Sequence, residues 1–329
     1  VASGTDPDRI RGLIHARAGS LLLAGPTASG KSAVALELAD RLGGEILSAD
    51  SMQVFRGLDL GTAKPTGPER GRVPHHLIDL VGAAEPFDTA RWLTEAKRVF
   101  EEVRGRGKVP IFCGGTGLYF SAWTHGLDAP APGDPAVRQS LESEPLERLL
   151  AELRERDPAT FERIDRRNPR RVVRALEILR LTGRPIPPPR PVMDSSDTLA
   201  SGCGEALFVL RRDPADLRGR IEKRVDAMFA SGLVEEVRML MGEGLGAERT
   251  ALQAIGYRQV VEHLRGDRDL TETVALVKSR TWQFARRQQT WFRNQLPARW
   301  IDVPPGESPP ATARRILENL TAPATPPGA

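Results

Sequence analysis

Leu21-Leu22-Leu23-Ala24 runs straight into Gly25-Pro26-Thr27-Ala28-Ser29-Gly30-Lys31-Ser32, and the order of these twelve residues decides the fold class. Four apolar residues that stop at Gly-Pro are the pattern of a buried strand entering a turn. From Lys31 to Leu42 the residues favour helix, with Val34, Leu38 and Leu42 on one stripe and Gly43-Gly44 as a stop. Between strand and helix stands G-x-x-x-x-G-K-S, a loop that cradles phosphate. Its glycines let backbone N–H groups converge on phosphate oxygens, and the helix N-terminus adds free donors and a favourable dipole. Lys31 supplies a point charge, and the Ser32 hydroxyl is the candidate ligand for Mg²⁺. Gly25, Pro26, Thr27, Ala28, Ser29, Gly30, Lys31 and Ser32 are therefore the candidate diphosphate-binding set. A plain glycine-rich turn with a solvated lysine is the competing reading, and the correct flank on each side counts against it.

Outward from this loop the pattern repeats. Glu45 to Ser48 reads as a second strand that ends at Asp50, Thr89 to Arg104 as a helix, and Val109 to Cys113 as another buried strand running into Gly114-Gly115-Thr116-Gly117. Strands alternating with helices predict an α/β fold, a P-loop NTPase-like parallel sheet covered on both faces. Near Leu127 the character changes. Asp128 to Pro135 is proline-rich, the chain to about Thr182 is helical and heavily charged, and Gly183 to Pro191 is a second proline-rich connector. A helical insertion domain is expected there. The expected division is 20–130 with 203–303 as core, 131–202 as insertion, 1–19 as a solvated leader and 304–329 as a C-terminal tail.

The chain has 329 residues, 40% apolar and 27% charged, ordinary for a globular protein with a sizeable core. No apolar run approaches a membrane span, so no membrane partner and a cytoplasmic place are expected. Cys113 and Cys203 are too few for a disulfide framework or a zinc site. A net charge of +4 says little; its distribution says more. Lys278, Arg280, Arg286, Arg287, Arg293 and Arg299 form a run without an acidic residue, interleaved with Trp282, Phe284, Trp291 and Phe292. Arg163, Arg166, Arg167, Arg170, Arg171 and Arg174 form a second cluster. Each alone reads first as a solvated helix face with core aromatics, although arginines at this density also suit contacts to RNA phosphates and unpaired bases.

The phosphate loop does not name the reaction, since kinases and NTPases share it. Asp50 stands past a strand end, where ligands gather on a parallel sheet; a capping aspartate is as good a reading of the residue alone. Thr116 has the same kind of position. Arg220 and Arg224, four apart, share a helical face. His75 and His76 have no further ligands at metal-site spacing and read as structural. Asp79 reads either as a carboxylate near Mg²⁺ or as a strand-end residue.

From about Leu21 to Asp302 the chain resembles the tRNA dimethylallyltransferase family. The likeness is carried by the phosphate loop, Ser48-Ala49-Asp50-Ser51, Gly61-Thr62-Ala63-Lys64-Pro65, Pro74-His75-His76-Leu77-Ile78-Asp79 and Gly114-Gly115-Thr116-Gly117-Leu118-Tyr119. It continues through Asn168-Pro169-Arg170-Arg171, Arg220 to Arg224, and Ile255-Gly256-Tyr257-Arg258. The resemblance implies dimethylallyl diphosphate as donor, the exocyclic amine of a tRNA adenosine beside the anticodon as acceptor, and Mg²⁺. It implies Asp50 as the catalytic base, Thr116 in the reaction channel, and Lys31 and Arg220 on the pyrophosphate, with Arg224 less firmly assigned. It implies tRNA contacts at Asp50, Ser51, Met52, Gln53, Thr116, Arg138, Arg170, Arg171, Arg174, Gln253, Gly256, Tyr257 and Arg258. The insertion would then clamp the anticodon loop, and the target base would flip into a channel. A monomer of bacterial type is expected. The rival readings are a small-molecule or nucleotide kinase and a non-catalytic RNA-binding protein.

Overall fold

A computed structural model of the chain describes residues 6–17, 19–127, 133–186, 207–246 and 250–321. Six strands form one parallel sheet: β1 (Leu21–Ala24), β2 (Gly44–Ala49), β3 (His75–His76), β4 (Val109–Gly114), β5 (Leu207–Arg211) and β6 (Arg299–Asp302). Their order is β3-β2-β4-β1-β5-β6, with every pairing parallel. The α/β fold expected from the strand–helix alternation is the fold observed. The strand of the phosphate loop is central: the chain leaves β1 for β2 on one side and later reaches β5 on the other. That reversal opens a crevice at the carboxyl ends of β1 and β4.

Strand alternation sorts the apolar side chains onto two faces. Leu21, Leu23, Ile111, Cys113 and Phe208 share a core with three helices: α1 (Pro7–Arg17), α2 (Lys31–Leu42) and, at the end of the chain, Pro309–Thr321. On the opposite face lie α4 (Thr89–Gly105) and α5 (Gly117–His125), where Phe112 meets Trp92 at 6.2 Å and Trp123 at 4.4 Å between ring centres. Helix α3 (Gly67–Arg72) is short and carries a capping box between Thr66 and Glu69. Both expectations for the chain ends are corrected here. The supposed solvated leader carries Ile10 and Ile14, 0% and 2% exposed, on the inner face of α1. The supposed tail contains a helix whose Ala313, Ile316 and Leu317 are buried against α2. In both cases an i, i+3/i+4 apolar stripe outweighs the surrounding charges and prolines.

The chain divides into two compact units, 1–126 with 192–329, and 127–191. The smaller unit holds α6 (Pro135–Glu142), α7 (Leu146–Arg156), α8 (Pro158–Arg163) and α9 (Pro169–Thr182) around Leu141, Leu149, Leu153, Val172 and Leu176. The connectors around Pro130 and Pro187, and Cys203, lie outside the described residues. The larger unit is completed by α10 (Pro214–Ala230), α11 (Leu233–Gly242), α12 (Tyr257–Leu264), α13 (Leu270–Gln295) and α14, the helix Pro309–Thr321. Helix α13 packs on α10, α12 and α5, which brings its inner face over the crevice.

Candidate active site

The phosphate loop is held open by what its carbonyls do. Arg212 Nε donates to the carbonyl of Ser29 at 2.7 Å, Arg220 Nε to that of Ala28 at 2.9 Å, and Lys31 Nζ to that of Pro26 at 3.2 Å. Three carbonyls of the turn are thereby held by cations, while the Thr27 N–H is taken by Gln288 Oε1 at 2.9 Å and the Ser29 N–H by the Pro26 carbonyl at 3.2 Å. Ala28 and Gly30 both take left-handed backbone, at φ 63° and 94°. For Ala28 that conformation costs roughly 1–2 kcal/mol, which the surrounding hydrogen bonds offset. Gly30 caps α2, whose first turn carries Lys31 and Ser32.

A cavity of about 410 Å³ opens from this loop along the carboxyl ends of β2 and β4. Its walls include Thr27, Lys31 and Ser32 from the loop and helix, Ser48 and Asp50 from β2 and its end, Thr116 after β4, and Arg224 from α10. Burial lowers the Lys31 pKa from the ordinary lysine value; the nearby Arg224 pushes the same way, and Cys113 and Asp50 oppose. Arg224 is also shifted down, first by burial, with Asp50 opposing. Lys31, Arg224 and Arg287 and the carboxylates of Asp50 and Glu69 all line the cavity.

Asp50 is fixed by an Asx turn, its Oδ1 accepting the Met52 N–H at 2.9 Å. Thr116 is tethered to the next residue: its Oγ1 accepts the Ser51 N–H at 3.0 Å, and its own N–H donates to the Ala49 carbonyl at 3.1 Å. Asp50 and Thr116, 66 residues apart, therefore share one wall. The three glycines around Thr116 are there for close approach. A Cβ on Gly114 would lie 2.0 Å from the Ala49 carbonyl, one on Gly115 2.2 Å from Gln288 Nε2, and one on Gly117 2.1 Å from the Trp291 ring.

Of the sequence-derived candidates, Ser51, Met52, Gln53 and Gln253 also line the cavity. Gln53 is committed to the framework, accepting from Ser48 Oγ and donating to the carbonyls of Thr62 and Ala63. Tyr257 is fully buried; its hydroxyl donates to Glu236 at 2.6 Å and accepts the Gly61 N–H at 3.1 Å. It anchors a loop and offers no surface to RNA in this arrangement. Gly256 caps α12 with φ 102°, and exposed Arg258 pairs with Glu262 at 2.9 Å. Arg220 holds the outside of the phosphate loop, whereas Arg224, the less firmly assigned of the two, reaches the cavity wall. Arg138, Arg170, Arg171 and Arg174 belong to the smaller unit. There Arg138 and Arg174 converge on Glu177, which is 0% exposed, at 2.7 and 2.6 Å. Burial alone would raise that carboxyl; the two arginine hydrogen bonds outweigh it and hold it below its ordinary value.

The remaining open readings also find places. His76 bonds Glu45 at 2.6 Å, and His75 Nδ1 bonds the Val73 carbonyl at 2.8 Å. Both rings are occupied structurally, as read from their spacing. Asp79 pairs with buried Lys64 and with Arg70, stapling the loop after β2. Sequence reasoning missed Arg212 and Gln288, and it placed Arg287, which lines the cavity, only in the basic run. Gln288 had a legible signal: Val277, Thr281, Phe284 and Gln288 fall on one stripe of α13, and an amide there is a polar group at a core position.

Among the described residues no group of three or more His, Cys, Asp or Glu side chains is arranged to hold a metal ion. The donors present, one hydroxyl at the head of α2 and the space beside it for phosphate oxygens, fit a divalent ion carried in with a diphosphate. No helix among the described residues is long and apolar enough to cross a membrane.

Comparison with known proteins gives a single answer. The family profile described as IPP transferase matches residues 53–295, and one described as isopentenyl transferase matches residues 19–73. The chain is 46% identical over 290 residues to tRNA dimethylallyltransferase 1 of Trichlorobacter lovleyi, covering 86% of this chain and 93% of the relative. It is 46% identical over 303 residues to the tRNA dimethylallyltransferase of Anaeromyxobacter dehalogenans strain 2CP-1, covering 91% and 97%. Among solved structures it is similar to the tRNA isopentenylpyrophosphate transferase of Bacillus halodurans, with TM-score 0.65, 35% identity and coverage of 91% and 95%. It is also similar to a eukaryotic dimethylallyltransferase acting on tRNA, with TM-score 0.70, 27% identity and coverage of 86% and 73%.

Proposed function

The chain belongs to the IPP transferase family, and from that premise we propose that it moves the dimethylallyl group of dimethylallyl diphosphate onto N6 of the adenosine 3′ to a tRNA anticodon. The observation that carries the reading is the shared cavity: a cationic phosphate cradle and one turn-fixed carboxylate, Asp50, on the same walls. A kinase could use the same cradle and a base at this rim, so it is the names of the relatives that favour prenyl transfer.

The chemistry divides between the walls. The loop amides and Lys31 bind the diphosphate and stabilise the charge that grows on it as the allylic C1–O bond breaks. Arg224 adds a second cation from above. Ser32 would hold Mg²⁺ together with the diphosphate oxygens, and the ion when bound supplies further neutralisation of the departing pyrophosphate. The adenine amine is a weak nucleophile because its lone pair is delocalised into the ring. As the N6–C1 bond forms, Asp50 takes the amine proton, and pyrophosphate leaves with its electron pair. Thr116, tethered beside Asp50, orients that wall. Ser51, Met52 and Gln253 are positioned to meet the flipped base, and exposed Arg170 and Arg171 to meet RNA phosphates in the smaller unit. We read the protein as acting as a monomer.

Asp50→Ala separates catalysis from binding. Loss of a general base lowers the single-turnover rate by about 10²–10⁴-fold. Affinity for the anticodon stem–loop stays within a few-fold, because no phosphate contact is removed. A variant that turns over near the wild-type rate, or one that loses RNA affinity in proportion to rate, would contradict the assignment.

A further inference from the structure

One side chain joins loops that are far apart in the sequence. Gln288 is 6% exposed and uses both ends of its amide: Oε1 accepts the Thr27 N–H at 2.9 Å, and Nε2 donates to the Gly115 carbonyl at 2.9 Å. The two bonds fix which end is oxygen and which is nitrogen. Thr27 belongs to the phosphate cradle, and Gly115 precedes Thr116. From there the network continues, Thr116 N–H to the Ala49 carbonyl and Ser51 N–H to Thr116 Oγ1, on both sides of Asp50. Helix α13 is seated on this turn over two contacts three residues apart, Gln288 on Gly115 and Trp291 on Gly117, each at a position where a Cβ has no room. The turn is thus shaped to receive the helix, and the helix in turn grips the cradle.

Resting on the prenyl-transfer reading, we propose that Gln288 is a positioning residue that registers the diphosphate cradle against the Asp50–Thr116 wall. It acts through Thr27 and Gly115 and not on the reacting atoms. The distance between the allylic carbon and the base is set by how the two loops sit relative to each other. A misplacement of about 1 Å costs on the order of 100-fold in rate. A direct amide bridge between the loops is a short, stiff way to hold that distance. It also predicts that filling the cradle is felt at the Asp50–Thr116 wall.

Two variants test this. Gln288→Met keeps approximate length and volume and loses both hydrogen bonds. Gln288→Glu keeps the acceptor for Thr27 and regains a donor for Gly115 only when protonated. The probe is inorganic pyrophosphate with Mg²⁺, followed by hydrogen exchange, alongside steady-state kinetics with dimethylallyl diphosphate. In the wild type, pyrophosphate slows exchange in residues 25–32 and also in 49–53 and 114–119. In Gln288→Met the slowing is confined to 25–32, and kcat falls about 100-fold while KM for the allylic diphosphate changes less than about threefold. The kcat of Gln288→Glu relative to wild type rises as pH falls through the glutamate range. Undiminished slowing at 49–53 and 114–119 in Gln288→Met, or a kcat loss that follows only the loss of folded protein, overturns the proposal. A wild type that shows the coupled slowing but never prenylates RNA leaves the coupling standing and sinks the prenyl-transfer reading instead.

Discussion

Cys113 stands on the cavity wall close to Lys31, and it shows how far one residue can be read. As a thiol after Val109-Pro110-Ile111-Phe112 it was legible as a buried strand residue. The structure adds that burial pushes its pKa up to about 11, against a smaller opposing effect of Lys31. A raised thiol pKa favours the neutral form, so the thiolate stays scarce until pH approaches that value, where an ordinary thiol would already be ionised near pH 9. Iodoacetamide followed by peptide mass spectrometry should leave Cys113 unmodified at pH 8 in the native protein and label it fully in denaturant. Rapid labelling of the native protein at pH 8 would mean an open, hydrated wall. The places of Lys31 and Ser32 at the head of α2 were legible in their pattern, because a strand, loop and helix in succession are local. Asp50 was undecided between base and cap; in the structure no helix starts there, and its carboxylate forms an Asx turn with the Met52 N–H. Arg212 was out of reach, and Gln288 was legible only as a polar group at a core position, because their partners, Ser29, Thr27 and Gly115, are distant in the chain.

Elements with a strong period were read to within a residue or two: β1, α2, α4 and β4 all fall where alternation or the helical stripe put them. The chain ends failed for a compositional reason. Asp8, Arg9 and Arg11 in α1, and the prolines around Pro309–Thr321, mask two short apolar stripes that bury against α2. If α14 is an integral layer, Ile316→Ala lowers unfolding free energy by roughly 2–5 kcal/mol, the range for deleting a buried branched side chain. The urea midpoint should fall without a change in slope, and a loss below about 0.5 kcal/mol would mean that the helix is not an integral layer. The Gly114-Gly115-Thr116-Gly117 turn was legible as a turn, but not its purpose. Each glycine answers to a different neighbour, Ala49, Gln288 or Trp291, and only the packed elements reveal which.

At the scale of the whole molecule, a parallel sheet with a central phosphate strand supplies the cradle, and the turns after β2 and β4 supply the wall opposite. Among the described residues, the smaller unit carries a buried carboxylate, Glu177, held by Arg138 and Arg174. The aromatic residues interleaved with the basic run of α13 divide between these roles: Phe292 is core, Trp291 covers Gly117, and Phe284 lines the cavity. The basic run was therefore partly a packing pattern, while Arg287 keeps its place at the cavity mouth. The claim on which the rest depends is that this architecture joins an allylic group to RNA without nucleotide hydrolysis. It is met most directly by weighing an unmodified anticodon stem–loop, bearing adenosine 3′ to the anticodon, after incubation with the protein, Mg²⁺ and dimethylallyl diphosphate in the absence of ATP. A gain of one dimethylallyl group on that adenosine, with one pyrophosphate released per RNA modified, is the predicted result. RNA of unchanged mass, together with ATP-dependent phosphorylation of a small acceptor, would contradict it.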